Sequence, residues 1–182
     1  MRQRHSKDKY TLKTISSSTY KIVAFSEIPN FNADECVDWA IEMISLGHES
    51  PSLYILAGLN KPTNYFETVE YLTAALAELH LKVKASNEGI LSYSSYFIEK
   101  IANGDNVKEN LKEVYKYSQS RDFEKLIYDF YLLYWAWDDL DYGNETQEYW
   151  PDANKENINS IVMTTANKWV NENKKLYMQT LE

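Results

Sequence analysis

The chain has 182 residues, 44% of them hydrophobic and 25% charged, and a net charge of −8. A chain of this length fits one domain and buries enough surface for a core without disulfides or structural metal. The single cysteine, Cys36, excludes an internal disulfide and a cysteine-based zinc site. No run approaches the ~18 consecutive apolar residues of a membrane span, so we expect a soluble, acidic, globular protein.

The N-terminal part of the chain differs in charge from the rest. Residues 1–21 contain six basic side chains against Asp8 alone, whereas the other 161 residues carry 13 basic against 26 acidic side chains. We interpret residues 1–20 as a basic N-terminal arm and residues 21–182 as the folded domain. We expect that domain to repel nucleic acid and anionic lipid, to attract basic partners, and to be cytoplasmic.

Helix signals follow one another along the domain. Residues 20–28 are too short a segment to separate a strand from extended chain, and Pro29 ends them. Capping residues with apolar residues at helical spacing then predict helix after helix. The predicted helices cover residues 32–47, 50–57, 64–81, 86–102, 107–115 and 121–138, and a last one runs from Asn154 or Asn157 to about Tyr177. Asn32, Ser50, Asn64 and Ser86 are the predicted capping residues.

The fold class follows from these helices. Because no set of alternating strands is present, each apolar stripe can be buried only against neighbouring helices. We expect an all-α, single-domain antiparallel bundle or short helical stack of about seven helices.

The sequence shows no catalytic motif. His5, His48 and His80 do not form a zinc-binding pair, and glycine-rich phosphate loops and nucleophile elbows are absent. We interpret His48 as part of a solvated connector and Cys36 as a buried, inert thiol. The acids of residues 138–141 fail the spacing of a calcium loop. We therefore predict neither an enzyme nor a bound metal or cofactor.

One segment departs from the rest of the chain. Residues 126–154 contain seven acidic and nine aromatic residues and no Lys or Arg. Neighbouring positions on a helix diverge by ~100°, so Trp135 and Trp137 cannot both point to one side. This helix is therefore either buried nearly all round or shows aromatic surface.

Aromatic side chains framed by carboxylates are suited to binding a basic protein. A purely structural role for the segment, and a cage for a cationic small molecule, remain alternatives. The candidate interface residues are Trp135, Asp138, Asp139, Asp141, Tyr142, Glu145, Glu148, Tyr149, Trp150 and Asp152.

Residues 33–84 resemble helical immunity proteins of bacterial toxin–immunity systems, including contact-dependent growth inhibition. The matching features are Trp39, Gly47, Ser50, the run 53–59 (LYILAGL), Asn64 with Glu67, and the run 75–79 (ALAEL). The resemblance implies an all-α protein without catalysis that neutralises a cognate toxin by covering an essential surface. It implies no catalytic residue, and it does not select the acidic segment.

The charge and the resemblance both predict a basic partner. Many such toxins are nucleases, whose surfaces are positive because they bind phosphates. The first alternative is a helical adaptor or regulatory module that binds another protein. The second is an enzyme whose site is built from carboxylates such as Glu67, Glu70 and Asp141.

Overall fold

The computed structural model describes residues 14–143 and 146–179. These residues form eight α-helices and two short 3-10 turns, and none of them lies in a strand. The helices are α1 (Thr19–Ile22), α2 (Asp34–Ser45), α3 (Pro51–Ala57), α4 (Tyr65–Glu78), α5 (Ser86–Ala102), α6 (Val107–Ser120), α7 (Tyr128–Asp141) and α8 (Ile158–Tyr177). The predicted all-α helical stack is confirmed, with the short α1 added to the seven expected helices.

The helices enclose two hydrophobic clusters. The first is built mainly by α5, α6, α7 and α8 and includes Phe130, Val162 and Trp169. The second is built mainly by α1 to α4 and includes Trp39 and Leu72. Helix α5 packs against α1, α6 and α8 and so joins the two clusters, while α4 packs chiefly on α3. Helices α7 and α4 therefore belong to different clusters of the stack.

Local capping chemistry explains two of the helix starts. The Ser50 hydroxyl accepts the Leu53 N–H at 3.2 Å ahead of Pro51, and the Asn64 side chain accepts two amides of the first turn of α4. The capping role predicted for Ser86 is wrong. Its φ is +51°, and its own N–H donates to the Glu27 carboxylate at 2.9 Å.

The segment before α2 is helical rather than extended. Residues 20–28 contain the end of α1 and a 3-10 turn over Phe25–Glu27. Thr19 is fully buried, and its hydroxyl accepts a 2.9 Å hydrogen bond from the Trp39 indole. The solvated position expected for His48 is wrong, because its ring is buried and Nε2 lies 3.0 Å from the carbonyl oxygen of Thr14. Residues 1–13 lie outside the described residues.

The predicted helix 121–138 begins too early. After α6 the chain turns through Asp122 and Phe123, both with positive φ, and the Phe123 N–H donates to the Ser118 carbonyl at 2.9 Å. This bond closes the C-terminus of α6 in the manner of a Schellman turn. The Glu124 carboxylate then accepts the Leu126 N–H at 3.2 Å and starts the turn that leads into α7.

Candidate protein-binding surface

Helix α7 has an apolar inner face and an aromatic outer face. Its inner face is buried in the first cluster through Phe130, Leu133, Ala136 and Leu140. Residues at spacings of three and four share one face of a helix. The outer face accordingly carries a second group at such spacings: Tyr128, Tyr131, Tyr134 and Trp135. Of the two sequence-based alternatives for this helix, the structure shows the one with aromatic surface.

Seven contacting rings form a continuous patch on this side of the protein, which we call the aromatic strip. Helix α6 contributes one ring, the turn after it another, α7 four, and the connection between α7 and α8 the last. The members are Tyr115, Phe123, Tyr128, Tyr131, Tyr134, Trp135 and Tyr149. All seven are at least partly exposed. Because a single helix supplies only four of them, the strip is a product of tertiary packing.

The rings of the strip are ordered by stacking. Tyr115 and Tyr134 lie 4.0 Å apart between ring centroids with an interplanar angle of 16°. Tyr131 stacks on Tyr115 at 5.5 Å and on Tyr128 at 5.5 Å. Such offset contacts contribute ~0.5–1.5 kcal/mol each beyond burial. The strip is therefore a preorganised surface whose side chains lose little freedom when a partner binds.

The far end of the strip is held by the connection between α7 and α8. Trp135 stacks on Tyr149 at 6.1 Å with an interplanar angle of 27°. The side-chain oxygen of Gln147 accepts the N–H groups of Tyr149 and Trp150, both at 2.8 Å. Its amide nitrogen donates to the carbonyls of Trp150 and Ala153. One glutamine thus orders the backbone that presents Tyr149 to the strip.

The carboxylates of α7 differ in their surroundings. Asp138 and Asp139 are half-buried, and no basic side chain of the described part of the chain forms an ion pair with either. Asp138 lies beside the strip, because it lines a 290 Å³ hollow together with Tyr134. Partial burial raises the pKa of Tyr134, and the negative charge of Asp138 adds to that rise. Asp138 thus places a carboxylate without a direct ion pair next to the aromatic strip.

Asp141 is partly neutralised from α6. Lys108 donates to its carboxylate, and Lys108 and Lys112 line the same hollow as Tyr134. These two lysines lie outside the residues 126–154 that lack basic side chains. The surface at the C-terminal end of α7 is therefore less acidic than that segment alone implies, and its carboxylates without an ion pair include Asp138, Asp139 and Glu148.

The other predicted interface residues lie in three different surroundings. Tyr142 is 83% exposed just after α7, and Glu148 and Asp152 are exposed in the connection. Trp150 is half-buried and packs against the first hydrophobic cluster, so only part of its side-chain surface is accessible to a partner. Glu145 lies outside the described residues. The structure joins only Trp135 and Tyr149 of the predicted set through ring contacts.

Sequence reasoning missed five rings of the strip. Tyr128 and Tyr131 lie seven and four positions before Trp135 along α7, a spacing that marks a second helix face and could have been used. Tyr115 and Phe123 come from outside the segment, and their contacts with Tyr131 are tertiary. Gln147 has no sequence signal, because its role depends on the path of the connection.

The carboxylates considered for an enzyme are not brought together. Glu67 and Glu70 are exposed on α4, whereas Asp141 pairs with Lys108 at the end of α7, a helix of the other hydrophobic cluster. Within residues 14–143 and 146–179, no group of three or more His, Cys, Asp or Glu side chains has the geometry of a metal site. Cys36 is buried, as expected, and burial raises the pKa of its thiol to about 12. Across the same residues, no helix combines the length and apolar character that a bilayer crossing needs.

Comparisons with family models, curated proteins and solved structures give no match to this chain.

Proposed function

We propose that this protein is an immunity protein that binds and neutralises a cognate basic toxin, a nuclease in the first instance, through the aromatic strip. The observation that carries the proposal is the set of seven contacting rings, all partly exposed, that continues from α6 across α7 to Tyr149. Contiguous exposed apolar surface of this kind marks interaction sites in soluble proteins.

The side-chain chemistry of the strip supports a protein partner. Tyr and Trp residues are enriched in protein interfaces because they bring a large contact area at a low cost in conformational entropy. The phenolic groups of Tyr128 and Tyr149, both exposed, can also donate hydrogen bonds to a partner. A flat, ordered surface of this type fits another protein better than it fits a small molecule, which needs an enclosed cavity.

The charge around the strip supports a basic partner. Asp138 and Glu148 carry negative charge near the end of the strip that Trp135 and Tyr149 form. The chain as a whole has a net charge of −8. Complementary charge raises the rate of encounter by ~10–10³ at low ionic strength. The toxin assignment itself derives from the resemblance of residues 33–84 to immunity proteins. A helical adaptor would use the same surface for a different partner.

A charge-reversal experiment tests this proposal. The double variant Asp138→Lys with Asp139→Lys changes the charge by +4 beside the strip without disturbing a described ion pair. A toxin encoded immediately upstream would favour the immunity role, so the partner tested is the product of the adjacent upstream gene. We expect the double variant to weaken binding to that product by at least about tenfold in calorimetry. We also expect it to abolish protection of cells that express that product.

The matched control places the same charge change on another helix. Glu67→Lys with Glu70→Lys also adds +4, on the exposed surface of α4. We expect the control to retain binding within about threefold. Equal loss in both variants would mean that net charge alone attracts the partner. Binding within twofold of the parent in the Asp138–Asp139 variant would reject this surface as the interface. Tight binding without toxicity of the partner would favour the adaptor.

A further inference from the structure

The turn between α6 and α7 contains two consecutive residues in a left-handed conformation. Asp122 has φ of +53° and Phe123 has φ of +62°. A non-glycine residue in this region is unfavourable because its Cβ crowds the backbone, and Asn or Gly relieves the crowding at the same turn. Asp is among the residues that tolerate the conformation, but an aromatic side chain is not. The left-handed conformation is therefore energetically unfavourable for Phe123.

The cost is not explained by burial of the Phe123 ring. The side chain is 46% exposed, and its ring packs edge-on against Tyr131 at 5.0 Å between centroids. The hydrogen bond that closes the turn uses the backbone N–H of Phe123, which any residue except proline can donate to the Ser118 carbonyl. The turn itself thus requires a left-handed residue, whereas the aromatic ring is an addition that the turn does not need.

We propose that Phe123 is an anchor of the binding surface, which inserts into an apolar hollow on the basic partner. This inference rests on the proposed function and extends it to a residue outside the acidic segment. The left-handed backbone holds the ring at one end of the aromatic strip, so its orientation is set before binding. A few such aromatic residues in fixed positions carry most of the affinity of protein interfaces.

The charges near Phe123 indicate which side chains of the partner should border the apolar hollow that receives its ring. Asp122 and Asp129 are exposed, and within the described residues neither forms an ion pair or a side-chain hydrogen bond. Two basic residues lie beside them. Arg121 is directed to Glu27, with Nη2 3.1 Å from Oε2, whereas Lys125 is exposed and offsets one of the two negative charges. The partner surface that fits this end of the strip is therefore an apolar depression bordered by Lys or Arg side chains.

The experiment uses two replacements that keep the turn. Phe123→Gly and Phe123→Asn both accept a positive φ, so we expect each to fold with the parent circular dichroism spectrum and a Tm equal to or above that of the parent. We expect both to bind the product of the adjacent upstream gene at least about fivefold more weakly in calorimetry. Phe123→Tyr keeps the ring, and it should retain the parent affinity within about threefold.

The outcomes separate this inference from the proposed function. Phe66→Ala, at an 81% exposed ring on α4, is the matched control and should bind like the parent. If Trp135→Ala weakens binding while both Phe123 variants stay within fivefold of the parent, the anchor role is rejected and the proposed function stands. A fall in Tm of more than about 5 °C in both variants would make Phe123 a structural residue and also reject the anchor role. No binding by the parent protein would reject both proposals.

Discussion

The indole of Trp135 and the ring of Tyr149 stack at 6.1 Å and join α7 to the connection that follows it. Tyr149 lies in a segment without regular secondary structure, so its position depends on the four hydrogen bonds of Gln147. A loop whose backbone is fixed by one amide side chain gives the strip a defined edge. The same dependence makes that edge sensitive to a single substitution.

We expect Gln147→Ala to loosen the connection and to weaken partner binding by about three- to tenfold. Gln147→Glu should act in the same direction, because a carboxylate keeps the acceptor and loses the two donors. Faster amide exchange at Tyr149 and Trp150, measured by hydrogen exchange, would report the loosening. The control is Glu148→Gln, an exposed neighbour that should leave exchange unchanged. Unchanged exchange in both Gln147 variants would contradict this account of the connection.

Loss of the ion pair between Lys108 and Asp141 should favour partner binding, whereas charge reversal at Asp138 and Asp139 should weaken it. Lys108→Ala removes positive charge beside the strip and frees the Asp141 carboxylate for a basic partner. We expect the association rate at low salt to rise about two- to fivefold, and the effect to disappear as salt screens it. Lys168→Ala removes an exposed lysine from α8 and serves as the control. A slower association of the Lys108 variant in stopped-flow measurements would contradict the predicted role of charge.

The features that could be predicted from the sequence are those set by hydrogen bonds between residues close together in the chain. The starts of α3 and α4 were predictable because Ser50 and Asn64 bind amides two or three residues away. The start of α5 was not, since the Ser86 N–H binds Glu27, 59 residues earlier. The composition of residues 126–154 predicted Trp135 and Tyr149 as interface residues, but two further rings of the strip, Tyr115 and Phe123, come from α6 and from the left-handed turn. The spacing of apolar and aromatic residues indicates the faces of a helix, whereas the residues that pack against each face depend on the tertiary structure.

Close packing around Gly89 gives a test of the fold itself. A Cβ at this position would lie 2.6 Å from Cγ of Glu27 and 2.8 Å from the carbonyl oxygen of Lys84. We expect Gly89→Ala to lower the free energy of unfolding by about 1–3 kcal/mol in urea titrations, because the Lys84 backbone must move. At Gly58 a Cβ would make ordinary contacts at 3.5 Å, so Gly58→Ala should be neutral or stabilising by up to ~1 kcal/mol. Equal stability of the two variants would contradict this packing.

The Cys36 thiol predicts how stability depends on alkaline pH. Burial raises its pKa to about 12 from an ordinary value of 9.0, so the folded state holds the proton more tightly than the unfolded state. The stabilisation is therefore complete below pH 9 and is lost as the pH rises from 9 toward 12. We expect Cys36→Ala to show a shallower fall in unfolding free energy between pH 8.5 and 10.5, measured in urea. Equal pH dependence of the unfolding free energy in the parent and in Cys36→Ala would mean that folding does not raise the pKa of the thiol.

The most direct test of the binding surface is hydrogen exchange of the protein with and without the product of the adjacent upstream gene. We expect binding to slow exchange in residues 121–135 and 146–153, which carry the exposed rings of the strip on α7 and its two flanking segments. Residues 51–70 of α3 and α4, with the exposed Phe66, should exchange at the same rate in both states. Protection confined to residues 51–70, with none along α7, would show that the partner does not bind at the aromatic strip.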